Sequence, residues 1–411
     1  MLGCVACRES QPQRPDPSKQ PAAAPSSSPS KEAVDFAKAS NALGFELYRS
    51  VGADRQGNVA IAPSSVSVLL AMIRSGAAGK TQEEMTRALH VSGSVVDVAK
   101  SAKDLLSSLN ALNGTATTLR MAGGLFVERA YKLQPAFLDV TRQQSGVSVE
   151  SLGFKKAPEG ARKMINSRVA EQTERRISEI LPKGSVNEAS RLVLTNAVYF
   201  LGSWVSPFSK STTARRDFHL SAESMRKVPM MSQHSEFNHV AADGVQVLEL
   251  PYKGNELSML IVLPDNKDGL SEFEGQLTAE RFEGWAKGMK KTDIQVVLPR
   301  FELHSVTQLK KPLEEVGIKL AFDQGKADFR GMSAGGGLYI QDAYHDVFVR
   351  VDETGTEAAA ATAAVVHAAG LNLNQTRFIA DHPFLFVIRH RASGALVFLG
   401  RVVAPGTGNV P

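Results

Sequence analysis

Val351-Asp352-Glu353-Thr354-Gly355-Thr356-Glu357-Ala358-Ala359-Ala360-Ala361-Thr362-Ala363-Ala364-Val365-Val366 decides how this chain is read. Every residue from 358 to 364 is alanine or threonine. Alanine is the best helix former, so a surface helix is the first reading. A solvated helix carries charge on its outer face, yet no charge follows Glu357 here, and no 3.6-residue rhythm appears. With a period of two the segment makes sense. Thr356, Ala358, Ala360, Thr362 and Ala364 form one face of uniformly small residues, suited to a narrow slot between existing strands. Glu357 falls on the other face, toward water. Gly355 allows the backbone to swing. Val347, Val349 and Val351 alternate just before it, so a strand runs directly into a segment able to become one.

Working outward, ordered motifs flank this segment. Upstream lie Asn58-Val59-Ala60-Ile61-Ala62-Pro63-Ser64-Ser65 and Gly76-Ala77-Ala78-Gly79-Lys80-Thr81. Leu194-Thr195-Asn196-Ala197-Val198-Tyr199-Phe200 follows, with Gly202, Trp204, Pro207 and Phe208. Val228-Pro229-Met230-Met231 and Leu298-Pro299-Arg300-Phe301 come next. The series ends in Asp381-His382-Pro383-Phe384-Leu385-Phe386 and Phe398-Leu399-Gly400-Arg401-Val402. Together with the hinge, these resemble the serpin family over residues 34–405. Three departures stand out: Ala62 for a usual serine, Arg168 for a common tryptophan, and about three extra residues between Gly355 and Pro383.

The resemblance implies an α+β fold with three β-sheets, eight or nine helices and an exposed reactive-centre loop at 353–377. It implies a monomer that is not an enzyme and needs no cofactor or metal. Its partner is a target serine protease, held in an irreversible covalent complex. The hinge is Glu353, Gly355, Thr356, Ala358, Ala360 and Thr362. By the same resemblance Ser65, Asn196 and His345 form a latch beneath the opening strands. Trp204, Arg300 and Glu353 sit where insertion begins, with an Arg300–Glu353 pair holding the sheet shut.

The scissile bond usually follows the seventeenth residue from the hinge glutamate, which gives Ala369-Gly370. Counting back from Pro383 lands near Asn372, so Leu371 and Asn372 are rivals. No lysine or arginine lies between Glu353 and Thr376. A trypsin-type pocket wants a basic residue before the bond, so elastase-, subtilisin- or chymotrypsin-like targets are expected. The rival function is a non-inhibitory member of the same fold. Such members carry bulky or charged hinge residues, and this hinge does not. Heparin-type activation is unsupported, because Lys100 and Lys103 are the only basic residues on the helix expected at 96–112.

Composition agrees with a soluble body. The chain has 411 residues, 43% hydrophobic and 22% charged, enough for one large domain or two small ones. No apolar run reaches the ~18 residues of a membrane span. The formal charge of +5 is modest, and no aromatic-interleaved basic stripe points to nucleic acid. Residues 8–31 hold six prolines and six serines, which predicts a disordered tether over 1–31. The serpin-like body spans 32–406, and 407–411 is a flexible tail. Both cysteines, Cys4 and Cys7, lie in the first ten residues. Leu2-Gly3-Cys4 resembles the end of a bacterial lipobox. That reading makes Cys4 a lipid anchor and places the protein outside the cell, in the periplasm or at the cell surface. A Cys-x-x-Cys metal or redox pair is the rival reading.

Local patterns predict a first helix with Val34, Ala37, Phe45 and Tyr48 on one face. A short strand at 59–61 leads into a helix at 66–73 capped by Ser64 or Ser65. Strands are expected at 191–200, 257–263, 295–303, 338–340 and 347–351. A buried hairpin is expected from 384–388 and 396–399. Enzyme motifs are weak. Gly331-Met332-Ser333-Ala334-Gly335 matches a nucleophile elbow, but Gly335-Gly336-Gly337 follows where a helix should start. Gly79-Lys80-Thr81 lacks the earlier glycine of a phosphate loop and reads as a turn, with Thr81 capping the next helix toward Glu84. By itself His345 is a hydrogen-bonded structural histidine.

Overall fold

The structure is a computed structural model that describes residues 28–53, 55–114, 116–142, 147–356 and 376–406. Helix α1 (Lys31–Ala53) buries Phe36, Ala37, Phe45 and Tyr48, while Val34 is only half-buried. Strand β1 (Val59–Ile61) leads into α2 (Pro63–Gly76), whose N-cap is Ala62 with Pro63 at the first helical position. The expected serine caps are therefore displaced. Ser64 and Ser65 lie inside the first turn, and the Ser64 hydroxyl donates to the Leu396 carbonyl at 2.7 Å. Burial against neighbouring strands outranks capping here. In α3 (Gly79–Ala88) Thr81 is likewise not a cap. It accepts from the Asp328 N–H at 3.0 Å, while Glu84 accepts from the Lys319 and Leu320 N–H groups. Helix α4 (Val95–Asn110) has the capping box that Ser94 and Asp97 dictate.

Strand β2 (Thr117–Glu128), α5 (Pro135–Arg142), β3 (Val147–Leu152) and α6 (Pro158–Gln172) follow. Then come β4 (Leu192–Ser203), β5 (Ala214–Ser221), β6 (Ser224–Ala242), β7 (Val245–Pro251) and β8 (Leu257–Pro264). The short helices α7 (Leu270–Gly275) and α8 (Ala279–Gly288) precede β9 (Lys290–Pro299). The remainder is β10 (Phe301–Gln308), α9 (Lys310–Glu315), β11 (Ile340–Val351), β12 (Gly355–Thr356), β13 (Thr376–Ile379), β14 (Phe384–His390) and β15 (Leu396–Val402).

Two sequence expectations change shape. The single strand expected at 295–303 is two strands broken at Arg300. Pro299 pairs with Met230 in one sheet, whereas Phe301 pairs with Val351 in the other, so the chain changes sheets there. The run 347–351 is the end of a longer strand, β11, which begins at Ile340, so of the run expected at 338–340 only Ile340 is strand. The hairpin of β14 and β15 forms as its apolar runs predict.

One sheet of six strands has the order β10-β11-β12-β4-β2-β3. A second network of nine strands includes the order β1-β15-β14-β8-β7-β6-β9-β13, with β5 paired to β6. The three sheets implied by resemblance thus appear as two networks. The 19-residue β6 pairs with β5 and β9 through most of its length and with β7 through its end, joining what would otherwise be two sheets. Between the networks lies the main core. Phe384, Leu385, Phe386, Val387 and Ile388 are all buried, and each such side chain contributes about 1.5–3 kcal/mol. No disulfide is available to the described residues, because both cysteines precede them. Apolar burial holds the fold.

Candidate functional site

The site is a seam in the six-stranded sheet. Strands β11 and β4 pair in parallel from Ile340↔Leu192 to Phe348↔Tyr199. Beyond that point they part, and β12 fills the gap. Thr356 pairs with Val351 on one side and with Gly202 on the other, while Gly355 pairs with Ser203. The first residues of the predicted loop therefore already lie in the sheet.

Side-chain chemistry explains why these residues fit. A Cβ on Gly355 would sit 1.9 Å from the Gly202 carbonyl oxygen, and its φ of +153° lies outside the range other residues adopt readily. Only glycine closes the turn against β4. Thr356 is fully buried, and its hydroxyl meets the Tyr252 hydroxyl at 2.7 Å. Tyr252 stacks on Trp204 with centroids 4.5 Å apart. The Trp204 ring N–H donates to the Asp352 carbonyl at 3.0 Å, and its backbone N–H donates to Thr354 O at 2.9 Å. Asp352 closes the turn by accepting from the Thr354 N–H at 2.8 Å.

Glu353 anchors this turn. Its side chain is 3% exposed and accepts from Arg300 Nε at 2.7 Å, from Arg300 Nη2, and from Thr213 Oγ1 at 2.5 Å. Burial alone would push the carboxyl up. The hydrogen bonds from Arg300 and Thr213 outweigh it and hold the group below the usual carboxylate range. Arg300→Ala leaves a buried carboxylate without its cation. The expected loss is about 2 kcal/mol, less than for a fully buried pair because Arg300 is half-exposed. Urea unfolding checks it, and Glu353→Gln in the Arg300→Ala background should recover most of that loss.

Below the gap, Ser65, Asn196 and His345 come together. His345 Nε2 accepts from the Ala62 N–H at 2.9 Å, and its Nδ1–H donates to the Asn196 carbonyl at 3.0 Å. Asn196 Nδ2 donates to Ser65 Oγ at 2.8 Å. The start of α2 is thereby tied across the β4–β11 seam. His345 is fully buried, and burial lowers its pKa to about 4, so the ring is neutral and one nitrogen can accept. Ala62, where a serine was expected, takes part through its backbone. Arg168, where a tryptophan was expected, lies on α6 and faces Glu150 of β3 at 3.4 Å.

The structure thus assembles Glu353, Gly355, Thr356, Trp204 and Arg300 in one cluster and Ser65, Asn196 and His345 in another. Sequence reasoning missed Tyr252 and Thr213, and it named Gly202 only as a motif residue, without its contact to Gly355. Gly202-x-Trp204 was a visible signal for a close backbone approach, but nothing local pointed to Tyr252 or Thr213. Ala358, Ala360, Thr362, Ala369, Gly370, Leu371 and Asn372 lie outside the described residues, as does Cys4 with the whole lipoprotein reading. Ser333 is buried in a run of turns without the strand and helix of an elbow. No helix among the described residues is long and apolar enough to cross a membrane.

Comparison with known proteins gives the site its context. The profile of the family described as Serpin (serine protease inhibitor) matches residues 38–405. A leukocyte elastase inhibitor of Xenopus tropicalis is 39% identical over 368 residues, covering 88% of this chain and 97% of the relative. The leukocyte elastase inhibitor of Sus scrofa is 40% identical over 379 residues, covering 89% and 98%. Among solved structures, Serpin48, a highly specific serpin of the insect Tenebrio molitor, superposes with a TM-score of 0.82. It shares 31% identity and covers 91% of this chain and 99% of its own. With its fold and nearly its whole length matched, the chain belongs to the serpin family of serine protease inhibitors.

Proposed function

We propose that this chain is an irreversible, suicide-substrate inhibitor of elastase-, subtilisin- or chymotrypsin-like serine proteases. One observation carries the reading. The hinge is seated as β12 at the point where β11 and β4 diverge, so the rest of the loop has a defined slot to follow. The protease serine attacks the carbonyl carbon of the bait residue, and the peptide nitrogen leaves with a proton. An acyl-enzyme results. The freed strand, with Ala358, Ala360 and Thr362 continuing the inward face of Thr356, then zips between β11 and β4 and carries the protease with it. Each inserted residue gains a backbone pair worth ~1 kcal/mol net, so roughly a dozen residues supply on the order of 10 kcal/mol to distort the captured active site. Ser65, Asn196 and His345 are the latch that yields as the seam opens.

The lack of lysine or arginine between Glu353 and Thr376 supports the target class, as do relatives named as elastase inhibitors. Incubation with pancreatic elastase, subtilisin and chymotrypsin should give a complex that survives denaturing gel electrophoresis. Mass spectrometry of the released C-terminal peptide should place the bond within 366–372. Cleavage by all three without any complex would mark a non-inhibitory binder. Complexes with trypsin alone, cut at Arg377, would overturn the target class.

A further inference from the structure

Two cations of the β5–β6 hairpin, Arg216 and Arg226, are not spent on the fold. Arg215, Arg216, Arg226 and Lys227 are all exposed, as is Lys210 in the turn before β5, against Asp217 and Glu223 over the same stretch. Lys227 lies 3.5 Å from Asp217, and Arg215 Nη2 donates to the Lys227 carbonyl at 2.9 Å. The Arg216 and Arg226 side chains have no hydrogen bond or ion pair to another described residue. They also share a face: Arg216 pairs with Val228 and Arg226 with Phe218, which makes them diagonal neighbours on the ladder. Diagonal neighbours are within reach of long side chains, so the two like charges repel weakly. Arg216 and Arg226 lie on the same face as the buried Phe218 and Val228, and an anionic partner would relieve the repulsion between two exposed like charges held there.

The position of the hairpin is specific. Thr213, one residue before β5, donates to Glu353 of the hinge at 2.5 Å. The Pro229 carbonyl of β6 accepts from the Arg300 N–H at 3.0 Å. At the other end of the loop, β13 pairs with β9, and β9 pairs with β6. Both anchors of the loop are therefore fastened to the sheet from which this hairpin projects.

We propose that the β5–β6 hairpin is a docking surface for an acidic face of the target protease, contacted while the loop occupies the active site. The inference rests on the loop being presented to a protease, as proposed above. The charges favour a protein over a linear polyanion. They stand on both faces of the ladder with Asp217 and Glu223 among them, whereas a sulfated chain tracks an unbroken basic line. Met225, 61% exposed beside this cluster, adds an apolar contact of the kind protein interfaces favour. Such a patch acts mainly on the association rate and fades with salt.

The test compares the chain with its R216E/R226E variant against chymotrypsin and against chymotrypsin with succinylated lysines, at 50 and 300 mM NaCl. The readout is the second-order rate of loop cleavage, which is measurable whether or not a stable complex forms. The wild-type chain should react with the succinylated enzyme at least tenfold faster than the variant at low salt, with the gap closing at high salt. R216Q/R226Q should fall between them, and all three should melt at the same temperature. Equal rates for wild type and variant on the succinylated enzyme at low salt would overturn the proposal. So would unchanged protease rates combined with loss of heparin-column retention, which would assign the patch to a polyanion. A wild-type chain that is cleaved with the expected rate difference but forms no complex refutes the inhibitory reading and leaves the docking surface standing.

Discussion

Thr356→Arg should turn this protein from an inhibitor into a substrate, with loop cleavage retained and the denaturant-stable complex lost. Thr356 is fully buried between β11 and β4, and its hydroxyl is engaged by Tyr252. The carboxylates of this turn are already engaged, Glu353 by Arg300 and Thr213, and Asp352 by Thr354, so a guanidinium there is left without a partner of its own. Burying it unpaired costs several kcal/mol even after local relaxation. The hinge must then leave the gap, and the zip from β12 into the seam stalls at its first step. Water completes hydrolysis of the acyl-enzyme before the loop can insert. Titration of inhibitor against elastase or subtilisin measures this as a rise of more than tenfold in the inhibitor consumed per enzyme inactivated. Thr356→Ser keeps the hydroxyl and the small volume, and should stay close to wild type. Retained one-to-one inhibition by Thr356→Arg would mean that insertion does not begin at β12.

The second large effect concerns pH. The contribution of His345 to stability should fall by about 3 kcal/mol as pH drops from 7 to 4. An unfolded histidine takes up its proton near pH 6.5. The buried ring at 345 resists protonation until about pH 4, because burial penalises its charged form. Between those values the unfolded chain binds more protons than the folded one, so acid favours unfolding. The roughly 2.5-unit gap, at about 1.4 kcal/mol per unit, sets the size of the effect. Burial also lowers His239 and His390, which add in the same direction. The signature of His345 is therefore a difference. Unfolding free energies of wild type and His345→Gln should converge by about 3 kcal/mol on acidification, since glutamine cannot titrate. Parallel curves would show that the ring titrates normally in the fold. Protonation also removes the acceptor for the Ala62 N–H, so loosening of the seam and acid sensitivity should appear together.

Some of this site was legible in the linear chain. The small inward face from Thr356 onward follows from a period of two, a local property that any observer of residues 353–366 can apply. Gly355 was legible for the same reason, although its need is sharper than a flexible hinge. The Gly202 carbonyl leaves no room for a Cβ. The apolar runs of β8, β14 and β15 announced buried strands, since a fully buried strand needs no alternation.

What the amino-acid order determined by itself was a segment with strand periodicity, small residues on one face and no basic bait residue. Only the tertiary structure decided that Gly355 and Thr356 enter the sheet as β12, and which groups hold residues 353–356. Tyr252, Thr213 and Arg300 reach residues 353–356 from positions roughly 50 to 140 away in sequence. The same holds for Ser64 and Ser65. A local rule makes them caps, whereas Ser64 is tied to Leu396 of β15 and Ser65 to Asn196 at the seam. Periodicity and turn chemistry act between neighbours, so a chain displays them openly. Register across a sheet and the burial of an ion pair depend on which distant strands meet, and those exist only once the sheet has formed.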